Sequence, residues 1–381
     1  QAPARRPSGR AVPHLRHGGS GPRRRAVGPS LFVPIATVTR NGLPESVHFG
    51  AVAVATPEGR LVARQGDPGA ATFLRSAAKP FQALPLLLAG GEERYQLTAA
   101  DLALICASHS GTPEHTRRAQ SLLDRGGFTE ADLLCGAHVP FDPESARRLA
   151  EEGSAPTQLH NNCSGKHAGM LLACQLLGLP SQGYVAEDHP LQRLNHGHVA
   201  TFCRLAPAEI RVGIDGCSVP AYHMTLAAAA RGYAVLAQPE AADLPGDVAA
   251  AAGRVVAAMT AEPGMVAGPR RFTTRLMEVT GGRVLGKEGA EGFYGLAVRG
   301  PVALGIAVKI ADGGERVRDS VVLDVLRRMG SLSGAEFAAL AADWYALEIR
   351  NWRGLRVGGI EPQVEMVDLD EDGGEPVAEP V

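Results

Sequence analysis

The densest cluster of reactive side chains in the sequence is an octet at residues 160–167, which reads His-Asn-Asn-Cys-Ser-Gly-Lys-His. Only its glycine lacks a polar or reactive side chain. An amphipathic helical pattern follows the octet and ends at Gly178, ahead of Pro180. We therefore expect the octet at or just before a helix N-terminus, where free backbone N–H groups and the helix dipole favour an anion or a thiolate. Such a site suits a polar ligand or a metal.

A candidate serine nucleophile lies in the S-x-x-K motif of Ser76 and Lys79, just before an apolar helical run. Residues i and i+3 share a helix face, so the lysine could reach the hydroxyl and act as the base that a serine needs. Burial or a nearby cation would have to lower the pKa of that lysine. The motif alone does not distinguish this pair from a helix-capping serine followed by a surface lysine.

A second serine–lysine pair strengthens this interpretation. Lys287 and Gly289 form a Lys-x-Gly motif in a predicted strand region, and Ser108 follows an apolar run. An early S-x-x-K on a helix with a late Lys-x-Gly on a strand is typical of penicillin-recognising serine enzymes. Together the motifs favour acyl transfer at an amide or ester, although residues 107–111 alone would also fit a polar turn.

Cys163 and Lys166 of the octet form a candidate metal-binding group with the distant Cys217, which lies in a Gly- and Pro-rich turn. The spacing is not a regular zinc pattern, which would place a second Cys or His at each end, and lysine binds zinc only as the neutral amine. Spacing therefore leaves open a metal site and a pair of buried structural thiols. His160 and His167 could also serve as ligands.

Strand-like patterns lie toward both ends of the chain, and helical patterns lie between them. We expect an α/β (α+β) fold with one mostly antiparallel sheet built from both chain ends and a helical insertion. A helix is predicted at 319–329, with Asp319 as its cap. The predicted strands are 31–40, 46–56, 60–64, 283–286, 292–299 and 301–310.

Composition limits the classes of function. The chain has 381 residues, of which 45% are hydrophobic and 20% charged, and its formal net charge is −2. This balance indicates a soluble protein with no global attraction to nucleic acid or membrane, and no apolar run reaches the roughly 18 residues that a membrane span needs. Six cysteines in so long a chain do not suggest a disulfide framework, so we expect a reducing, cytoplasmic compartment.

The ends of the chain differ in composition from the middle, and we expect three units. These are a basic, disordered tail at 1–30, a single catalytic unit at 31–365 and an acidic, disordered tail at 366–381. Within the catalytic unit, the sheet is expected from about 31–75 and 265–330 and the helical part from about 76–260.

Taken in order, the motifs resemble the rhizobial-type L-asparaginase family over about residues 32–312. The matching segments are 75–82, 106–111, 160–167, 188–190, 213–217 and 287–289. The resemblance implies a fold like that of serine β-lactamases and serine-dependent glutaminases. It also implies hydrolysis of L-asparagine to L-aspartate and ammonia, a zinc cofactor and a homodimer.

The resemblance also implies roles for individual residues. It pairs Ser76 with Lys79, and Ser108 with Lys287. The implied zinc ligands are Cys163, Lys166 and Cys217, and the implied substrate-binding residues are Arg75, Asn161, Asn162, His167 and Asp215. The chain departs from the family pattern at Thr273, where an Arg-x-Asp-Thr motif would have a carboxylate.

We expect Ser76 to attack the side-chain amide carbon of asparagine with Lys79 as its base, and Ser108 is the alternative nucleophile. Zinc is expected to orient the substrate rather than to generate hydroxide. The alternative enzyme is a glutaminase or penicillin-type serine amidase on the same scaffold. The alternative of another class is a non-catalytic metal- or nucleic-acid-binding protein that uses the thiols and the Arg-rich tail. The enzyme hypothesis has a small-molecule substrate and no nucleic-acid or membrane partner.

Overall fold

A computed structural model of the protein describes residues 31–369. The strands are β1 (Val33–Arg40), β2 (Leu43–Ala55), β3 (Leu61–Gln65), β4 (Ala71–Phe73), β5 (Arg211–Ile214), β6 (Pro220–Thr225), β7 (Val284–Glu288), β8 (Phe293–Val298), β9 (Leu304–Ile310), β10 (Glu348–Arg350), β11 (Arg356–Pro362) and β12 (Val367–Asp368).

The helices lie mainly between β4 and β7. They are α1 (Lys79–Gln82), α2 (Leu84–Leu88), α3 (Gly91–Tyr95), α4 (Ala99–Ile105), α5 (Pro113–Gly126), α6 (Pro143–Glu151), α7 (Ser164–Leu176), α8 (Pro190–Cys203), α9 (Leu226–Ala237), α10 (Gly246–Ala261), α11 (Pro263–Val266), α12 (Phe272–Val279), α13 (Glu315–Arg328) and α14 (Gly334–Trp344). Within residues 31–369, no helix is both long enough and apolar enough to cross a membrane.

The main sheet is antiparallel and draws its strands from both ends of the chain. Its order is β10-β11-β1-β2-β9-β8-β7, and β3 pairs with both β2 and β12. Strands β2 and β9, which come from opposite ends of the chain, pair side by side from Gly50 opposite Ile310 to Ala55 opposite Gly305. The predicted α/β class, with a mostly antiparallel sheet and a helical insertion, is confirmed.

The boundaries of the units differ from the prediction in two places. Strands β10, β11 and β12 extend the sheet beyond residue 330, and β12 lies within the segment predicted as an acidic tail. The helical part also contains β5 and β6, which form a small antiparallel sheet with β4. Strands β10 and β12 have three and two residues, and β5, β6 and β11 contain glycine or proline, so no clear strand pattern marks them in the sequence. The tail predicted at 1–30 and the rest of the acidic tail lie outside the described residues.

Helix α13 begins earlier than predicted, because its N-cap is Gly314. Asp319 therefore lies inside the helix and does not cap it, and its carboxylate accepts a hydrogen bond from Arg318 Nε (2.9 Å). Helix α7 begins at Ser164, so the octet spans the helix N-terminus, as predicted.

Both faces of the sheet are buried, and strand β2 shows how its residues divide between the two cores. Ala51, Ala53 and Ala55 contact the larger core, which contains most of the helical insertion. Val52 and Val54 contact the second core, on the opposite face of the sheet. Because successive side chains of a strand point to opposite faces, this alternation sets small residues against the insertion.

Helix α9 packs against this small-residue face at very short range. A Cβ atom on Gly305 would lie 2.0 Å from both the Ala230 carbonyl oxygen and the Ala234 backbone nitrogen. A Cβ atom on Gly295 would lie 2.2 Å from the Tyr233 ring. The approach of α9 to β8 and β9 therefore depends on these two glycines.

We predict that Gly305→Ala lowers the free energy of unfolding by about 1–3 kcal/mol, because the new methyl group meets main-chain atoms that can move only with the helix. Urea denaturation followed by circular dichroism measures the change. The matched control is Gly359→Ala in β11, where the new Cβ would lie 3.5 Å from the Leu347 oxygen, an ordinary contact. Equal stability changes in the two variants would contradict the proposed close packing.

Candidate active site

Ser108 lies just beyond the end of helix α4, as its position after an apolar run predicts. Its backbone N–H donates to the Val266 carbonyl oxygen (2.9 Å), which fixes the main chain at this point. Only 3% of the residue is exposed. The residue is therefore held in a defined place and exposes little of its surface.

Lys79 reaches Ser108 from the first position of helix α1. Its amine donates to Ser108 Oγ (3.1 Å) and to the carbonyl oxygens of Ala107 (2.5 Å) and Asn162 (3.4 Å). An ammonium group carries three N–H donors, so these three acceptors use all of them. Lys79 is thereby fixed in position, since it is almost completely buried and each of its donors has a partner.

Lys287 approaches the same hydroxyl from strand β7. Its Nζ lies 2.6 Å from Ser108 Oγ and donates to the Glu288 carbonyl oxygen (2.9 Å). Burial, together with the charge of Lys79, lowers the pKa of Lys287 to about 7. A lysine in this state is uncharged in much of its population at neutral pH and can accept a proton.

Ser76 does not pair with Lys79 in the way the S-x-x-K spacing predicts. The two residues lie in a 3-10 turn, Arg75–Ala78, that runs directly into α1. Within residues 31–369, no hydrogen bond links the Ser76 hydroxyl to Lys79, whose amine contacts Ser108 instead. Ser76 and Ser108 both line a cavity of about 530 Å³. The structure thus brings Ser108 together with both lysines and places Ser76 at the same cavity.

The turn that carries Ser76 is held in a strained conformation. Arg75 has a φ of +50°, in the left-handed region that non-glycine residues rarely adopt. The Tyr233 hydroxyl of helix α9 donates to the Ala77 carbonyl oxygen (2.8 Å) and so ties the turn to this helix. Since Tyr233 packs against Gly295, the close approach of α9 to the sheet also positions this part of the site.

The predicted metal-binding residues converge next to the serine–lysine pair. The Lys166 amine donates to Cys217 Sγ (3.0 Å), and all three side chains are almost completely buried. A hydrogen bond from Cys217 lowers the pKa of the Cys163 thiol well below its usual value, and the amines of Lys79 and Lys166 add to the effect. Cys163 is thus the thiolate of the pair.

The donor types of this cluster fit zinc, which binds thiolate sulfur and neutral nitrogen. Burial favours the neutral Lys166 amine, but the negative charge of the Cys163–Cys217 pair and the hydrogen bond to Cys217 outweigh burial and raise the pKa of Lys166. A zinc ion would have to displace that proton. Within residues 31–369, no three His, Cys, Asp or Glu side chains form a metal-binding group, so a site here requires Lys166.

Some of the predicted substrate-binding residues are partly exposed or line the cavity, and others bind within the protein. The Arg75 guanidinium donates to Asp215 Oδ1 (2.8 Å), and both side chains keep some exposure, 27% and 13%. Asn162 lines the cavity with the serines. The Asn161 side chain is used within the protein instead, since its Oδ1 accepts from the Cys163 N–H (2.8 Å).

His167 is completely buried in the first turn of α7. Its Nδ1 lies 2.7 Å from the Tyr184 hydroxyl, and its Nε2 is buried without a hydrogen-bond partner in the described part of the chain. Burial lowers the pKa of His167 well below its usual value, so the ring is neutral. A buried ring nitrogen without a partner is costly unless a ligand supplies one.

Thr273, which replaces the expected carboxylate, faces the second core rather than the cavity. Its hydroxyl lies 2.7 Å from the Tyr294 hydroxyl, and 1% of the residue is exposed. The Arg318 guanidinium lies over the Tyr294 ring, 5.7 Å from its centroid. The hydroxyl pair therefore accommodates the substitution without leaving an unpaired polar group at this position.

Sequence reasoning missed a charged network on the cavity wall. Arg271, Glu288 and Arg318 line the cavity together. The Glu288 carboxylate accepts from Arg271 Nη2 (2.5 Å) and from Arg318 Nη2 (3.2 Å). No direct signal of this network is present in the sequence, because Arg318 precedes the helix predicted at 319–329 and its burial follows only from the fold.

Comparison with known proteins gives matches of two kinds. The family model for L-asparaginase II matches residues 36–362, and no curated protein matches. Among solved structures, the chain is similar to Mglu in its native form, with 16% identity, a TM-score of 0.40, and coverage of 74% of this chain and 64% of that chain.

Two further solved structures are similar. Mglu in its tris and glutamate form has 17% identity and a TM-score of 0.33, with coverage of 78% of this chain and 63% of that chain. Bacillus glutaminase in the presence of 4.3 M NaCl has 13% identity and a TM-score of 0.34, with coverage of 75% and 92%. The chain spans just under two thirds of the length of these two Mglu structures.

The family match covers almost all of the described residues. It takes in both chain-end contributions to the sheet as well as the helical part between them. It also includes both serines, both lysines and the thiol cluster described above. The chain therefore belongs to the L-asparaginase II family.

Proposed function

We propose that the protein is an amidohydrolase that cleaves the side-chain amide of L-asparagine through an acyl-enzyme. The observation that carries the proposal is the position of the Ser108 hydroxyl between the amines of Lys79 (3.1 Å) and Lys287 (2.6 Å). A serine needs a base to become a nucleophile, and a buried lysine with a lowered pKa can be that base. Membership of the L-asparaginase II family supports the choice of substrate.

Ser108 is the nucleophile in this proposal, and Ser76 takes a supporting role. Ser108 has an amine on each side, whereas Ser76 has no amine within hydrogen-bond distance in the described part of the chain. This assignment differs from the one that the S-x-x-K spacing suggests. Ser76 lines the same cavity and would contact the bound substrate.

The two lysines have different roles because their environments differ. The neutral Lys287 amine takes the proton of Ser108 as its Oγ bonds to the amide carbon. The resulting Lys287 ammonium then gives that proton to the departing nitrogen, and ammonia leaves. Water attacks the acyl-enzyme, Lys287 accepts its proton, and aspartate is released as Ser108 regains its hydroxyl hydrogen. Lys79 keeps its bonds to Ala107 and Asn162 and orients Ser108 Oγ throughout.

The α-amino and α-carboxylate groups of asparagine need charged or polar partners. Arg75 and Asp215 form a partly exposed ion pair beside Ser76 and offer one charge of each sign. The unpaired Nε2 of His167 offers a further contact. We propose these three residues as the substrate side of the site.

Cys163, Lys166 and Cys217 would hold a zinc ion in this proposal. Bound there, zinc would supply a fixed positive charge that orients a polar substrate. Asp215, whose pKa is lowered by the charge of Lys166 although burial opposes its ionisation, would support Lys166 as a neighbouring carboxylate. The serine already supplies the nucleophile, so hydrolysis does not require a metal-bound hydroxide.

We predict that Ser108→Ala reduces ammonia release from L-asparagine by on the order of 10⁴-fold or more, because the nucleophile is removed. Ser76→Ala retains measurable turnover, since it loses only a cavity contact. A coupled ammonia assay measures both variants, with L-glutamine and a chromogenic β-lactam tested beside L-asparagine. Circular dichroism establishes that the variants are folded.

The reverse pattern, with activity lost in Ser76→Ala and kept in Ser108→Ala, would overturn the choice of nucleophile. A wild-type protein that hydrolyses L-glutamine or the β-lactam but not L-asparagine would overturn the choice of substrate. Activity on none of the three would remove the proposed function itself.

The pH dependence should follow Lys287. Its pKa is lowered to about 7, and only the neutral amine accepts the serine proton. We therefore expect kcat/KM to fall as the pH drops through about 7 and to level off above it. The Lys287→Arg variant, which stays charged at all these pH values, should lose on the order of 10²–10⁴ in rate. A wild-type profile that is flat through neutral pH would contradict the role of Lys287.

We expect the purified protein to contain about one zinc ion per chain, held by two thiols and one amine. Cys163→Ser should lose the metal, because it removes the thiolate of the cluster. The matched control is Cys174→Ser, which changes a completely buried thiol inside helix α7, the helix that Cys163 caps, and should keep the metal. Elemental analysis of the three proteins measures this. Full zinc content in Cys163→Ser would refute the ligand assignment.

A further inference from the structure

The Glu288 carboxylate is a buried charge at the junction of three elements. Glu288 ends strand β7, Arg271 is the N-cap of helix α12, and Arg318 lies in helix α13. The carboxylate uses one oxygen for each arginine, at 2.5 Å for Arg271 and 3.2 Å for Arg318. Only 8% of Glu288 is exposed, so this charge is poorly screened by water.

The same residue holds the proposed base through its main chain. The Glu288 carbonyl oxygen accepts a hydrogen bond from Lys287 Nζ (2.9 Å), while that amine lies 2.6 Å from Ser108 Oγ. The two arginines restrain the Glu288 side chain, and the backbone of the same residue restrains the lysine amine. One residue thus connects the two helices to the serine–lysine pair.

We propose that Glu288 is a positioning residue: the two arginines anchor its carboxylate, its main-chain carbonyl holds the Lys287 amine against Ser108, and its charge sets how readily that amine takes the serine's proton. This inference rests on the proposed role of Lys287 as the base. Glu288 itself need not touch the substrate, because it acts through Lys287.

The charges around Lys287 act in opposite directions. Burial and the charges of Lys79 and Arg271 lower its pKa, and the charges of Glu288 and Cys163 raise it. Cys106 also faces the amine, but burial raises the pKa of that thiol to about 12, which leaves it neutral. The nearby positive groups belong to other elements, whereas the carboxylate adjoins Lys287 on its own strand.

Glu288 stays ionised despite its burial, because Arg271 and Arg318 hold its pKa below the usual value. The negative charge is therefore permanent at neutral pH and biases Lys287 at all times. If this charge were removed, the positive charges of Lys79 and Arg271 would remain near Lys287 and one of the two negative charges that oppose them would be lost. Its protonated form would then be less stable.

The test is the pH profile of kcat/KM for Glu288→Gln, measured as ammonia release from L-asparagine by the purified protein. Glutamine keeps the shape and one acceptor oxygen but removes the charge, and its amide nitrogen cannot accept from the second arginine. The acidic limb is the part of the profile where kcat/KM falls as the pH is lowered. Loss of the Glu288 charge lowers the pKa of Lys287, so we expect this limb to move to lower pH by on the order of one unit, the low end for the effect of a neighbouring charge. The plateau should also fall, because a less basic amine is a poorer proton acceptor.

Arg271→Gln gives the opposite charge change and keeps the proposal testable if Glu288→Gln fails to fold. It removes a positive neighbour of Lys287, so the acidic limb should move to higher pH. A purely structural role of the network would lower activity in both variants without moving the limb in opposite directions. Limbs that stay at the wild-type pH in both variants would overturn the proposal.

The matched control is Glu278→Gln, which removes a carboxylate from an exposed ion pair with Arg275 in helix α12. Its limb should stay at the wild-type pH. A wild-type protein without amidase activity, or without a limb near neutral pH, would remove the proposed function rather than the role of Glu288. A normal wild-type limb with no shift in the variants would remove only the role of Glu288.

Discussion

The site depends on one constraint, which is that two lysine amines are buried against a single serine hydroxyl. Two ammonium groups so close together would repel each other where little water is available to screen them. The structure resolves this by giving Lys79 three acceptors and leaving Lys287 with a lowered pKa. Burial, together with the charge of Lys79, thus gives Lys287 the lowered pKa that its proposed role as a base requires.

The fold meets this constraint by bringing distant parts of the chain together. Lys79 comes from the start of the helical insertion and Lys287 from the sheet beyond its end, so the relative position of insertion and sheet sets the distance between the amines. That position depends on helix α9, which lies against β8 and β9 where Gly295 and Gly305 leave room. Gly295 lies directly opposite Lys287 in the pairing of β8 with β7, so the packing of α9 on these glycines bears on the position of the proposed base.

The sequence predicted the parts of the site better than their pairing. Strong periodicity and special residue types identified the antiparallel sheet, the helix behind the octet and the catalytic candidates. The S-x-x-K spacing predicted Ser76 as the partner of Lys79, but the Lys79 amine contacts Ser108. Residues i and i+3 share a face in a regular α-helix, whereas Ser76 lies in a 3-10 turn. Glu288 was missed because its importance comes from two arginines that are remote in sequence and adjacent only after folding.

Ser108 and its two lysines lie next to the thiol cluster, and the charge of one of these lysines acts on both groups. The charge of Lys79 lowers the pKa of Lys287 and also that of Cys163. This cation adds to burial in favouring a neutral Lys287 and to the Cys217 hydrogen bond in favouring a Cys163 thiolate, which are the forms that the proposed proton transfer and the proposed metal binding need. Loss of the Lys79 charge would raise the pKa of Lys287 and of the Cys163 thiol together. The two groups therefore form one electrostatic unit, although they come from different segments of the chain.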